Sequence, residues 1–260
     1  MYDVANKKAR LSLVGAGPGD PELITLKAIK ALKSADCVLY DALANQSLLG
    51  YAPKSAQLRN VGKRAGRHKV PQEIINRMIV KCARQYGHVV RLKGGDPYLF
   101  GRGHEEQIFA EQAGVEVQMI PGISSINAVP ALQSIPLTRR YISESFWVVT
   151  GTTRFGQLSK DITIAAQSSA TVVILMGMSK LSQIQSAFVA CGKGSTPVAI
   201  IQNGSLPNEK MGVGRVATMC KVAEDQQLEA PAVIVIGEVA ALHPAYINEV
   251  LKDELKVNCV

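Results

Sequence analysis

Short apolar runs alternate with longer amphipathic stretches along most of this 260-residue chain, and that alternation narrows the fold to mostly parallel strands covered by helices. Leu11–Gly15, reading LSLVG, is too short and too apolar for a helix and is expected as a buried strand closed by glycine. Between Glu22 and Ser34, Leu23, Leu26, Ile29 and Leu32 recur at helical spacing while Lys27, Lys30 and Lys33 face elsewhere. Cys37–Tyr40 reads as a second buried strand. Gln72–Tyr86 carries Ile74, Ile75, Met78, Ile79, Cys82, Ala83 and Tyr86 on one helical stripe, and Gly87 stops it. His88–Leu92 and Val115–Ile120 then read as strands, and Glu105–Ala113 and Ser124–Gln133 as helices.

The alternation breaks at Pro136–Glu144, a polar stretch containing Leu137-Thr138-Arg139-Arg140 that suits an interdomain linker. It resumes with strands expected at Phe146–Thr150, Thr171–Met176, Val198–Gln202 and Ala232–Gly237, and a helix at Ser179–Ala190. Lys210–Val216 suits an extra strand or a hairpin arm, and Ala217–Gln226 a helix. The expected organisation is an amino-terminal α/β domain over residues 8–137, a carboxyl-terminal α/β domain over 138–244, and a helical tail over 245–260.

Composition restricts partners more than fold. With 47% hydrophobic and 19% charged residues the chain is globular rather than disordered. Twenty-nine Lys and Arg against 21 Asp and Glu give +8, which favours nucleic acid, an anionic membrane or a polyanionic metabolite, unless the surface is simply basic. No apolar window is long enough to cross a membrane, and the apolar run after the first ten residues, Leu11–Val14, is too short for a secretory signal, so a cytoplasmic protein is expected. The five cysteines are scattered without C-x-x-C spacing and the four histidines never share a helix face, so reduced thiols and no metal are expected. A single tryptophan and no aromatic-rich basic strand leave no stacking platform for single-stranded nucleic acid.

Three loops follow strands and open towards helices. Gly15-Ala16-Gly17-Pro18-Gly19-Asp20 looks like a pyrophosphate loop but fails as one, because Pro18 lacks an amide donor and Asp20 places negative charge where phosphates would sit. Asp20 suits a helix cap instead, with the glycines and Pro18 left as a bare ledge for another ligand. The second loop, Gly94-Gly95-Asp96-Pro97-Tyr98-Leu99-Phe100-Gly101-Arg102-Gly103-His104-Glu105, is longer than the usual turn of about 2–6 residues and lies where open sheets bind ligands. The third, Pro121-Gly122-Ile123-Ser124-Ser125, is weaker alone. Asp41 follows Cys37–Tyr40, where it suits a cap or a site at the same sheet edge, and the basic run Gly62-Lys63-Arg64-Ala65-Gly66-Arg67-His68-Lys69 suits anion binding.

The strings VGAGPGDPELITLKA, VLYDAL, VGKRAGRH, RLKGGDPYLFGRG, PGISS, IPLTRR and QNGS, in this order from about Leu11 to Leu242, resemble the tetrapyrrole methylases. GGDP followed by FGRG is the specific element and points to the members that methylate uroporphyrinogen III. The resemblance implies two α/β/α domains with mixed, mostly parallel sheets, the active site in the interdomain cleft, and a homodimer. It implies S-adenosyl-L-methionine as co-substrate without metal, and transfer of two methyl groups to uroporphyrinogen III to give precorrin-2, through precorrin-1, for siroheme, cobalamin or haem d1.

Carried over residue by residue, the resemblance implies cofactor contacts at Pro18, Gly94, Gly95, Asp96, Leu99, Ser124, Ser125, Met176 and Gly204, with Asp41 as proton acceptor and Lys63 as proton donor. Arg102 is an unsuitable base because a guanidinium stays protonated. It is expected to clamp substrate carboxylates, with Arg64 and Arg140, while Glu105 orients Arg102 or a pyrrole N–H. His104, Arg139, Leu175 and Thr152-Thr153 depart from the usual pattern, on the substrate side. On this reading the +8 balance answers a polycarboxylate substrate, with no nucleic acid and no membrane as partner.

Overall fold

A computed structural model of the chain describes residues 8–62 and 70–246. In chain order the first elements are β1 (Arg10–Gly15), α1 (Leu26–Lys33), β2 (Cys37–Tyr40), β3 (Gln57–Asn60), α2 (Gln72–Tyr86), β4 (His88–Lys93), α3 (Gly103–Gln112) and β5 (Glu116–Ile120). The rest are α4 (Ser125–Leu132), β6 (Phe146–Thr150), α5 (Asp161–Gln167), β7 (Thr171–Leu175), α6 (Leu181–Ala190), β8 (Pro197–Gln202), β9 (Lys210–Arg215), α7 (Met219–Asp225) and β10 (Ala232–Ile236). The described residues form two compact units that divide between Ser124 and Ser125.

The first unit is built on a five-stranded sheet of order β3-β2-β4-β1-β5, in which every neighbouring pair is parallel. Its two faces bury different side chains, as the period of a strand requires. Leu11, Leu13, Leu39 and Val89 pack against Ile75, Ile79 and Ala83 of α2. Val14, Val38, Val90 and Leu92 pack on the other side with Ala28 and Leu32 of α1 and with Leu48.

Helix α1 begins later than its apolar spacing predicts, and two capping side chains explain the break. Asp20 accepts from the Glu22 amide at 2.8 Å and closes a 3₁₀ turn over Pro21–Leu23, so the expected cap is present. Thr25 then accepts from the Ala28 amide at 3.2 Å and starts α1. Strand β3 has no apolar run to announce it: it lies at the sheet edge with two exposed and two half-buried residues.

The second unit carries a mixed sheet of order β6-β7-β10-β8-β9. Only β6 and β7 run parallel; β7–β10, β10–β8 and β8–β9 are antiparallel, and the undecided Lys210–Val216 segment is strand β9. One face packs Val172, Ile174, Ile234 and Ile200 under Ile162, Ile184 and Phe188. The other packs Val173, Ala199, Ile201 and Val235 with Val129 of α4 and Ile135. Because α4 and Ile135 bury their apolar side chains in this core, the compact unit begins before the linker-like segment, whose expected boundary was residue 137. The expected tail helix lies largely outside the described residues.

Candidate active site

Parallel order in the first sheet brings the carboxyl ends of β1, β2, β4 and β5 to one edge, so the loops singled out in the sequence meet there. The first two loops are joined by backbone: Gly17 N–H donates to Gly95 O at 3.3 Å, and Gly95 N–H donates to Gly17 O at 2.7 Å. A Cβ added at Gly15 would collide with the Gly122 backbone, and one added at Gly122 would collide with Gly95 O. Three loops therefore touch main chain to main chain, which only glycine allows.

Asp96 ties the same crossing with both oxygens. Oδ1 accepts from the Tyr98 amide at 2.8 Å and Oδ2 from the Gly122 amide at 3.0 Å. Gly95 itself has φ +66°, and no atom lies within 4 Å of where a Cβ would stand. The backbone there is an open ledge. Pro18 is half-buried, while Leu43 and Leu99, 65% and 43% exposed, offer apolar surface in the neighbouring segments.

The end of the second loop is strained. Phe100 and Arg102 take φ of +54° and +58°, a region costing about 1–2 kcal/mol for a residue with a Cβ. Arg102 is the N-cap residue of α3, and its side chain is exposed with no ion pair to any described residue; Glu105 is exposed as well. His104 packs edge-on to Tyr98, with ring centroids 5.8 Å apart, and Tyr98 Oη bonds Gln107.

Beneath this edge lies a charged cluster of which the sequence singled out only Asp41. All six residues of the central strand β4 are buried, including His88, Arg91 and Lys93. Arg91 sits between Leu13 of β1 and Leu39 of β2, and its Nη2 donates to Asp41 Oδ1 at 2.6 Å while its Nε donates to Glu106 Oε1 at 3.2 Å. Lys93 Nζ lies 3.2 Å from both oxygens of Glu106, but only the contact to Oε1 has hydrogen-bond geometry. Gln72 Nε2 also donates to Oε1, at 3.0 Å. Side-chain exposures are 2% for Arg91, 0% for Glu106, 4% for Lys93 and 28% for Asp41, so only Asp41 emerges. Burial and the Arg91 guanidinium push the Lys93 ammonium below its ordinary pKa, against the pull of Glu106 and Asp41. Removing one member would leave an uncompensated buried charge, a loss of about 3–5 kcal/mol.

The second unit holds the other expected contacts. The carboxyl ends of β6, β7 and β8 share one edge of its sheet. Thr152 Oγ1 donates to Met176 O at 2.8 Å, and Met176, at φ +55°, is 50% exposed. Gly204 follows β8, where an added Cβ would strike Val129 of α4. Ser125 opens α4, Ser124 is buried at the end of the first unit, and Arg140 is exposed in the turn bridged by Arg139 and Ser143. Lys63 and Arg64 lie outside the described residues. Among the described residues, no three His, Cys, Asp or Glu side chains cluster as a metal site would require.

Glycine loops crossing at the carboxyl edge of a parallel sheet, with one carboxylate held at the rim, form the arrangement with which α/β proteins of the ligand-binding class receive small molecules. Residues 10–220 match the tetrapyrrole (corrin/porphyrin) methylases, and the chain belongs to this family. It is 44% identical over 232 residues to the uroporphyrinogen-III C-methyltransferase of Methanocaldococcus jannaschii, covering 88% of this chain and 96% of that protein. It is 42% identical over 240 residues to the S-adenosyl-L-methionine-dependent uroporphyrinogen III methyltransferase of Methanosarcina barkeri, covering 90% and 93%. The chain spans about half of the siroheme synthase of Hahella chejuensis, 51% of its length at 39% identity. Among solved structures, the Thermus thermophilus uroporphyrin-III C-methyl transferase complexed with S-adenyl homocysteine matches with a TM-score of 0.77 at 37% identity, over 90% of this chain and 99% of that one.

Proposed function

We propose that this protein is an S-adenosyl-L-methionine-dependent C-methyltransferase that converts uroporphyrinogen III to precorrin-2 by two successive methylations, through precorrin-1. The observation that carries the reading is the open backbone ledge at Gly95, enclosed by the glycine contacts of three loops and flanked by exposed apolar side chains. A sulfonium cofactor fits such a ledge, since it has an apolar adenosyl group and no phosphate to miss the amide that Pro18 lacks. The near end-to-end likeness to two uroporphyrinogen III methyltransferases supports the same substrate.

When bound, S-adenosyl-L-methionine supplies an electrophilic methyl group, which a ring carbon of the substrate displaces in line from sulfur. The resemblance implies contacts to this co-substrate from Pro18, Gly94, Gly95, Leu99 and Ser124 in the first unit and, separately, from Ser125, Met176 and Gly204 in the second. Asp96 acts there by fixing the loop, because both of its oxygens accept backbone amides. Arg102, with Arg64 and Arg140, clamps substrate carboxylates; its exposed guanidinium has no protein carboxylate to compete for it among the described residues. On this reading Asp41 takes the proton that the methylated ring must lose, with Lys63 as donor and Glu105 at the substrate side; the partial exposure of Asp41 supports the assignment. Positioning supplies much of the rate in such a transfer.

A homodimer in the cytoplasm belongs to the same reading. Phe146 and Trp147, 41% and 40% exposed on edge strand β6, favour association of two copies, and the four described cysteines are free thiols, which suits a reducing compartment. The test is to mix the purified protein with S-adenosyl-L-methionine and enzymatically generated uroporphyrinogen III under anaerobic conditions. A product heavier by two methyl groups is expected; its absence overturns the proposal.

A further inference from the structure

We infer that Glu106 is a positioning residue for the transfer: its buried carboxylate holds Arg91, and Arg91 in turn holds Asp41 at the rim of the first sheet. The inference deepens the proposed function and rests on its reading of Asp41. Four charges are linked in one chain of contacts, Asp41 to Arg91 at 2.6 Å, Arg91 to Glu106 at 3.2 Å and Glu106 to Lys93 at 3.2 Å. Two are cations and two are anions, so the set is formally neutral. Three are almost wholly withdrawn from solvent, and such groups cost stability compared with apolar side chains of similar size. A purely structural core at the centre of a five-stranded sheet has no need of them. Their geometry has one outward consequence, the fixed orientation of a single partly exposed carboxylate.

Each part restricts the next. Arg91 is a planar fork, with Nε committed to Glu106, Nη1 directed at the Leu39 and Leu92 carbonyls, and Nη2 left for Asp41. Glu106 fixes that fork from α3, and its Oε1 is held in turn by Lys93 and by Gln72, which also donates to Asn76 Oδ1 at 2.9 Å. The Asp41 amide donates to Leu92 O at 3.1 Å, so backbone and side chain of Asp41 are both referred to strand β4. Removing the Glu106 charge frees the guanidinium to turn, and Asp41 loses its fixed direction.

The experiment uses the full chain and reads kcat, KM for each substrate, and binding of S-adenosyl homocysteine by calorimetry. Glu106→Gln is expected to lower kcat about 10²-fold, the size of effect that follows a misplacement of about 1 Å. Both KM values and the calorimetric affinity should stay within about twofold, and Glu106→Asp should recover about tenfold of the loss. Because Glu106→Gln leaves an excess buried cation, Glu106→Gln combined with Lys93→Met restores neutrality and is expected to show the same kcat loss with wild-type thermal stability. Glu106→Gln is also made in an Asp41→Asn background, where it should cost little more. Additive losses there, or a wild-type kcat in the neutral double variant, overturn the positioning role. A wild-type rate for Asp41→Asn alone instead overturns the reading of Asp41 while leaving the methyltransferase assignment standing.

Discussion

At the scale of single residues, substitutions at Arg102 and Gly95 test the proposed substrate clamp and the proposed cofactor ledge separately. Arg102 is exposed and without an ion pair among the described residues, so its loss exposes no buried partner. Arg102→Ala is expected to abolish turnover while S-adenosyl homocysteine still binds by calorimetry; a collapse of that affinity would refute the carboxylate clamp. Gly95 is the reverse case. At φ +66° any side chain costs about 1–2 kcal/mol, and Gly95→Val would also fill the ledge, since no atom stands within 4 Å of the added Cβ. The variant should remain folded by circular dichroism and lose at least about tenfold in S-adenosyl homocysteine affinity, about 1.4 kcal/mol. The loop residues were legible because glycine, Asp-Pro and aromatic residues after a strand have few ordinary explanations. Glu106 was not legible. It stands beside Glu105 in the sequence, and only the helical rotation of α3 sends one carboxylate into the core and leaves the other outside.

At the scale of elements, strand β4 holds three basic side chains in a position that apolar patterning alone would assign to hydrophobic residues. His88 lies at the opposite end of that strand from the edge where the three loops cross. Its ring nitrogens meet Ser12 Oγ at 2.9 Å and Ser34 O at 2.8 Å, and burial, with Arg10 close by, holds its pKa below the ordinary value despite Ser34 and Asp36. The unfolded chain therefore takes up this proton at a higher pH than the folded one. The stabilising contribution is present above about pH 6.5 and is lost as pH falls below it. Urea midpoints at about pH 8 and about pH 5.5 should show lower stability at the acid value, with a smaller difference in His88→Asn. An unchanged difference in that variant would remove His88 as the cause. The sequence showed β4 as a strand because Val89, Val90 and Leu92 are apolar, but the carboxylates that meet Arg91 and Lys93 lie just after β2 and on α3, and pattern within one segment says nothing about them. Strand β3 was illegible for the opposite reason: exposed at the sheet edge, it needs no apolar alternation.

At the scale of the whole molecule, the alternation of strands and helices conveyed two α/β units, whereas the position of their division depended on which core α4 enters. Val129 and Ile135 answer that through packing in the second unit, a long-range fact absent from the turn chemistry around Pro136. The +8 balance also acts at this scale. A polycarboxylate substrate should be drawn by it, and a cofactor of low net charge should not. Raising ionic strength from about 0.05 to about 0.3 M is expected to raise KM for uroporphyrinogen III several-fold, with little change in S-adenosyl homocysteine affinity. Equal sensitivity of both would show that the charge excess has no part in substrate capture.

The contact among Gly15, Gly95 and Gly122 has a consequence for how such a chain can diverge. A side chain at Gly15 or Gly122 would displace another loop, and one at Gly95 would stand in the open ledge at a positive φ, so the floor resists variation at all three positions. The rim is under no such restriction: Tyr98, Leu99, Phe100 and His104 are all exposed, and His104 already departs from the common pattern. Under the proposed function, exchange at the rim can therefore alter acceptor preference while the floor keeps the same methyl donor.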